Sequence, residues 1–237
     1  MLLDGLNIHE SWNGFLNQDI KKELELIEGQ IGDGYTPSRE RVLRFLELDL
    51  KKCKVVILGQ DPYKPEGVAT GRSFEPADLN NWNDKFRQVS LKNIVRLIYK
   101  DTMGITKYEE IPNFSEIQKK IETGEFKIKQ PHDWFDSLES QGVLFLNTTL
   151  TCKIGESNSH KDIWSKFSDE LIEYISKINI NLDWFLWGKE AVSQIKNIRS
   201  GRLYRSNHPM MCSEKYIDDF LKGTCFKETR HKINWLG

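Results

Sequence analysis

The chain has 237 residues, enough for one large domain or two small ones, and its 38% hydrophobic and 29% charged residues are the balance of a soluble globular protein. No apolar run reaches the roughly 20 residues that span a bilayer, so no membrane partner is expected. The formal net charge of −1 by itself predicts no nucleic-acid partner.

In chain order, the opening MLLDGLNIHE places an acid at position 4 and lacks a basic n-region, so it is not expected to act as a secretion signal. Leu16, Ile20, Leu24 and Ile27 fall at helical spacing. Thr36-Pro37 reads as an N-cap followed by proline at the first helical position, opening a second helix with Val42, Phe45, Leu46 and Leu50. KVVILG (54–59) is the first strand candidate, and Leu91, Ile94, Val95 and Ile98 mark a helix after it. The charged segment 101–130 lacks a strand pattern and reads as a surface insertion with a short helix near Ser115–Ile121, too short to bury a core of its own. GVLFLN (142–147) is the second strand candidate. Ser159 and Asp162 read as a capping box for the helix carrying Trp164, Phe167, Leu171, Ile172 and Ile175. LDWFLWG (182–188) is a third strand, Lys189–Ile198 a helix, and RLYRSN (202–207) a less apolar fourth strand.

Cys53, Cys152, Cys212 and Cys225 are scattered and form no Cys-x-x-Cys pair, which argues against a zinc ribbon or an iron–sulfur site. Free thiols in a reducing compartment, and no metal or cofactor, are expected. From Lys196 to Lys232 nine basic residues stand against four acids, a net +5 that leaves about −6 elsewhere. This segment is either a solvated surface or a phosphate-facing patch.

Helices alternating with continuous apolar strands predict an α/β fold: a central four-stranded parallel sheet with helices on both faces. We expect one domain over 1–237, with N-terminal helices over 1–50. Ligands of such sheets sit beyond the carboxyl ends of the strands. The residues there are Gln60-Asp61-Pro62-Tyr63, Asn147, Gly188 and His208-Pro209: an acid, an amide, an imidazole and an aromatic on one rim.

GQDPY (59–63), ATGRSF (69–74), SLKNI (90–94), GVLFLNTTLT (142–151), SNSHKDIW (157–164), FLWGKEA (185–191) and NHP (207–209) occur in this order. In order and approximate spacing the chain resembles the family 1 uracil-DNA glycosylases from about Val55 to Phe226, with only a loose fit before that. The resemblance implies base-excision repair: a uracil is flipped out of DNA and its N-glycosidic bond is hydrolysed without strand cleavage, because no motif supplies a Schiff-base lysine. It implies that Asp61 stabilises the oxocarbenium-like sugar and orients water, and that neutral His208 donates to the departing base at O2. Asn147 would read N3–H and O4, Phe74 would stack on the base, Tyr63 would exclude a C5 methyl, and Gln60 would contribute main-chain groups. Lys64, Ser90, Met210, Met211 and Ser213 would contact DNA. Taken singly, Asp61 also reads as a turn or cap, Asn147 as a strand-ending turn, His208 as a loop histidine, Phe74 as a core aromatic and Ser90 as a helix N-cap. Ser157, Asn158, Ser159 and His160 read as a structural loop without chemistry.

Several positions depart from the family pattern. Lys64 stands where the family has histidine, and FRQVSLKNI replaces a proline-rich stretch. Met210-Met211-Cys212-Ser213 follow His-Pro where the family has Ser-Pro-Leu-Ser, so Met210 or Met211 would either serve as a soft apolar wedge or simply pack under the loop. Arg72 is expected to add a cation near the pocket. A modified pyrimidine as the target base, or a non-catalytic DNA-binding or replication scaffold, are the competing readings. The expected partner is single-stranded DNA, with double-stranded DNA open, and a proteinaceous glycosylase inhibitor is a further partner class. A monomer is expected, placed in the cytoplasm with the nucleoid, or in the nucleus of a eukaryote.

Overall fold

Apolar runs of five residues, bounded by Gly or Asn and rich in Val, Ile, Phe and Trp, are too short for helices and too uniformly apolar to leave one face in water. In the computed structural model, which describes Met1–Gly237, the elements in chain order are α1 (Gln18–Ile31), β1 (Tyr35–Thr36), α2 (Arg39–Val42), β2 (Val55–Gly59), α3 (Val89–Met103), α4 (Phe114–Glu122) and α5 (Pro131–Ser140). There follow β3 (Val143–Asn147), β4 (Cys152–Lys153), α6 (Lys161–Ile178), β5 (Asp183–Trp187), α7 (Lys189–Ser193), β6 (Arg202–Ser206) and α8 (Cys225–Thr229). The central sheet has four parallel strands in the order β3-β2-β5-β6. β1 and β4 form a small antiparallel pair beside it.

Side chains alternate across each strand; both sets are buried in β2, β3 and β5, whereas the edge strand β6 is exposed or half-buried. Val56, Leu58, Leu144, Leu146, Trp184 and Leu186 face α1, α6, α7 and the N-terminal segment. Val55, Ile57, Val143, Phe145, Phe185 and Trp187 face α3, α4, α5, α8 and the C-terminal Trp235. The two clusters hold 28 buried residues each, so neither face of the sheet is left to solvent. All four strands point their carboxyl ends at the same rim, as the expected architecture requires.

Five local expectations are corrected. Thr36 pairs with Cys152 in the β1–β4 ladder, so it caps no helix; Ser38 holds the cap position of the one-turn α2. The second helix is broken after Val42 into 3₁₀ turns at Arg44–Glu47 and Leu50–Lys52. Leu43 leaves helical geometry there (φ −110°, ψ 22°), and Val42, Leu43, Phe45 and Leu46 are all buried across the break. Ser159 does not cap α6, because its hydroxyl accepts the Lys153 N–H (2.7 Å) and donates to the Glu156 carbonyl (2.9 Å), which leaves His160 at the cap. The segment 101–130 is more than a surface insertion. Ile111, Phe114, Ile117, Phe126 and Ile128 are buried in the second core, so it borrows the sheet's core instead of building its own. The Lys189–Ile198 helix is α7 continued by a 3₁₀ turn at Gln194–Asn197.

Candidate active site

β2 ends at Gly59, beside Asn147 at the end of β3. A side chain at Gly59 would collide with the Asn147 carboxamide and come within 2.7 Å of the Ser73 Cβ, so only glycine lets these two groups close over the strand end. The ladder continues past the strands: Thr148 N–H donates to the Gly59 carbonyl (3.1 Å), and Thr149 N–H (2.9 Å) and Thr148 Oγ (2.9 Å) donate to that of Gln60. The Gln60 carbonyl is therefore taken, whereas the N–H groups of Gln60 and Asp61 donate to no protein acceptor. The Asp61 carboxylate accepts the N–H of Asn158 at 2.9 Å. Burial raises its pKa above the ordinary carboxyl value, opposed by that N–H and by the exposed Lys64 ammonium.

The Asn147 side chain is 5% exposed and makes no hydrogen bond within the protein, so a donor and an acceptor are held ready at the rim. Tyr63 donates its hydroxyl to the Phe74 carbonyl at 3.1 Å, and burial pushes its phenol well above the usual value. Phe74 has φ 65°, a left-handed conformation that costs a non-glycine residue roughly 1–2 kcal/mol. Its ring lies 5.7 Å from Trp187 and 6.2 Å from His208, centroid to centroid.

His208 follows β6 and packs on Gly188, where a Cβ would stand 2.9 Å from the His208 Cβ and where φ is 89°. Nδ1 of His208 accepts the Met210 N–H at 3.2 Å. That bond leaves Nε2 as the proton-bearing nitrogen of the neutral ring. Burial lowers the pKa of His208, which favours this neutral form. The loop after it is pinned from two sides: Asn93 Nδ2 donates to the Pro209 carbonyl (2.6 Å), and Ser213 N–H donates to Asp219 Oδ2 (2.6 Å). Ser90 sits one turn before Asn93 on α3, so the two share a helix face toward this loop. It is inside the first turn and does not cap the helix, because Gln88 holds that position. Met210 and Met211 are 61% and 55% exposed, while Cys212 turns its thiol to the Pro209 carbonyl (3.3 Å).

The fold thus brings together Gln60, Asp61, Tyr63, Phe74, Asn147 and His208 at the carboxyl rim, with Lys64, Met210 and Met211 exposed around it. Residues 46–230 of the chain match the family model of the Uracil DNA glycosylase superfamily. The chain belongs to that superfamily. The wild-type UNG of Nitratifractor salsuginis superposes with a TM-score of 0.67 at 22% identity, over 86% of this chain and 85% of that one. The UNG of mimivirus, as its Y322F variant in complex with UGI, gives 0.60 at 22% identity, over 85% and 70% of the two chains. The mimivirus uracil-DNA glycosylase structure gives 0.58 at 24% identity, over 84% and 68%.

Seen as a superfamily member, the chain holds two surprises at its rim. Asn158, read from sequence as part of a structural loop, reaches the acid: its backbone N–H binds Asp61, and its side-chain Oδ1 accepts from Gln60 Nε2. It adopts φ 61°, a conformation asparagine tolerates better than most residues, which is the one signal that an asparagine between two serines carries. Arg72 departs in the other direction. It supplies no cation to the pocket, because its guanidinium is buried among Glu75, Asp136 and Glu139. Four of the nine cations in the basic C-terminal segment are paired within the protein. Lys196 pairs with Asp169 (2.8 Å), Arg199 with Glu173 (3.2 Å), Arg202 with Glu228, and Lys232 with Asp183 (2.6 Å). Arg205, Lys215, Lys222, Lys227 and Arg230 make no ion pair; Lys222 donates instead to the Glu214 and Tyr216 carbonyls, and the other four are exposed cations left for a polyanion.

Proposed function

We propose that the protein is a monofunctional uracil-DNA glycosylase of base-excision repair. The observation that carries this reading is the pairing, on one rim, of a half-buried Asp61 held by Asn158 with a neutral His208 whose Nε2 bears the proton. The base is extruded from the strand, stacks on Phe74 and meets Asn147 through N3–H and O4. Cytosine presents an amine and an unprotonated nitrogen there, and it mismatches the same amide orientation. Tyr63, locked by its bond to Phe74, opposes a substituent on C5. As the C1′–N1 bond breaks, its electron pair leaves with the base, and the charge that gathers on O2 is met by the His208 Nε2–H. The free N–H of Gln60 is a second donor for that oxygen. Ionised Asp61 stabilises the positive C1′ and orients the water that adds to it; the sugar keeps the oxygen, and the water's proton is released.

The test is release of free base from a uracil-containing single strand, compared with thymine, cytosine and modified-cytosine strands. We expect uracil alone to be released, leaving an abasic strand that breaks only on alkali treatment. Preference for a C5-substituted base would transfer the assignment to a modified pyrimidine. Tight DNA binding with no base release would favour a non-catalytic scaffold. UGI, the partner in the mimivirus complex, is a direct probe for the inhibitor class of partner.

Asn158 should matter although it touches no substrate. Asn158→Ala removes the bond to Gln60 and disfavours the left-handed backbone that aims the N–H at Asp61, and kcat should fall about 10- to 100-fold. Asn158→Gly keeps the backbone conformation accessible and should keep most of the activity that Asn158→Ala loses. Steady-state kinetics of the two variants distinguish an oriented backbone donor from a side-chain role, for which both variants would be equally impaired.

A further inference from the structure

The loop Val68–Ala77 carries the stacking residue out from the sheet and back. It is closed at its base by Ala77 N–H donating to the Val68 carbonyl (2.8 Å) and by a bridge between Ala69 and Pro76. Near its apex Phe74 adopts φ 65°, a conformation its surroundings must impose. Two fastenings come from the sheet side: Ser73 Oγ donates to the Ile57 carbonyl (3.0 Å), and Tyr63 to that of Phe74 (3.1 Å). The third is Arg72, which reaches α5 instead of the sheet.

Arg72 is 7% exposed, and its whole guanidinium is engaged. Nε donates to Glu139 Oε1 at 2.9 Å and Nη2 to Glu139 Oε2, a two-pronged grip on α5. Nη1 reaches Glu75 Oε1 at 3.2 Å within the loop and Asp136 Oδ1 at 2.8 Å on α5. Arg44 joins from its 3₁₀ turn, with Nη2 on Glu139 (3.3 Å) and Nη1 on the Thr70 carbonyl (3.4 Å). Glu75 is 3% exposed and also faces His132 Nδ1 at 3.6 Å. A buried ion cluster of this kind is a poor means of adding stability, since apolar residues of the same volume serve as well. A forked guanidinium instead fixes direction as well as distance, which an apolar contact does not.

We propose that Arg72 is a positioning residue for the base platform: by gripping α5 it fixes the loop, and through Ser73 the backbone of Phe74, in the orientation that stacks on the pyrimidine. This rests on the uracil reading above, and its test separates the two. Hydrogen–deuterium exchange of the peptide over 68–77 reports the loop without any ligand. Titration with free uracil reports the platform. For Arg72→Leu we expect faster exchange confined to that loop and its neighbours, and uracil binding weakened on the order of 10-fold, with KM raised more than kcat is lowered. Arg72→Lys, which keeps the charge but cannot grip both oxygens in one plane, should lie between. Glu139→Gln, closer in shape to the original, should loosen the same peptide if Arg72→Leu does not fold. Ile117→Val, a destabilising change in the core away from the loop, should leave uracil affinity unchanged. Wild-type exchange over 68–77 in folded Arg72→Leu or Glu139→Gln overturns the proposal, as does wild-type uracil affinity with a loosened loop. If the unsubstituted protein releases no uracil, the functional reading fails, while the exchange data still decide whether Arg72 holds the loop.

Discussion

Asp61→Asn is expected to lower kcat for uracil release by about 10²- to 10⁴-fold, leave the affinity for a uracil-containing single strand nearly unchanged, and give a Tm no lower than that of the unsubstituted protein. The loss follows from charge. The sugar becomes cationic only as the bond breaks, so a neutral amide surrenders stabilisation present in the transition state and absent from the ground state. The stability statement follows from linkage. Burial raises the Asp61 pKa above its unfolded value. A raised carboxyl pKa means that the folded state favours the protonated form, so the contribution to stability is greatest below the unfolded pKa and is lost as pH rises through the folded one. At neutral pH the ionised carboxylate is therefore a burden on the fold, and asparagine relieves it while still accepting the Asn158 N–H. Activity and stability are opposed at this residue, as is usual where chemistry needs a desolvated charge. Single-turnover kinetics and a thermal melt of the same preparation check both statements. A variant within 10-fold of the original kcat would remove Asp61 from the chemistry, and a clear drop in Tm would show that its carboxylate is structural.

The sheet was legible because burial on both faces leaves an unmistakable pattern: Val-Val-Ile-Leu, Val-Leu-Phe-Leu and Trp-Phe-Leu-Trp admit no solvated side. The rim residues were legible because motif and topology agreed on Asp61, Asn147 and His208. What escaped the sequence has particular causes. Asn158 acts on Asp61 through a backbone N–H, and a main-chain donor 97 residues away carries no side-chain signature. Arg72 stands two residues from Phe74, but its direction depended on α5, whose Asp136 and Glu139 are separated from it by the whole of α3 and α4. The basic excess after Lys196 left a solvated surface and a phosphate-facing patch both open, because the acidic partners Asp169, Glu173 and Asp183 of three of its cations come from α6 and β5. Charge counted along a chain does not reveal charge already paired in space. The helix breaks over 42–50 keep Val42, Phe45, Leu46 and Leu50 buried, as one continuous helix would, so the apolar pattern alone does not reveal them.

His208 makes the pH profile diagnostic. Its Nδ1 is held by the Met210 N–H, and burial lowers its pKa, so over the neutral range the ring is uncharged with its proton on Nε2. Asp61 must be ionised, and its pKa is raised. The two active forms therefore share one direction: acidification protonates both groups, and kcat falls on the acid side with a slope that steepens toward two protons, with no rise as the imidazolium forms. Removing each group in turn assigns the two protons. His208→Gln has no titrating ring and should leave a single-proton acid limb belonging to Asp61, with kcat about 10²- to 10³-fold lower because the oriented donor to the base is lost or misplaced. His208→Ala should show the same limb with at least the same loss. The contrast that decides the donor's charge is the sign of the response. If imidazolium were the working acid, kcat would climb as pH fell through the pKa of His208, and His208→Gln would abolish that climb; neutral imidazole gives a plateau above it and a fall below. A plateau is also what the structure explains most economically, because no carboxylate accompanies His208 to hold a positive ring: the only partner of Nδ1 is a backbone N–H, which an imidazolium cannot accept.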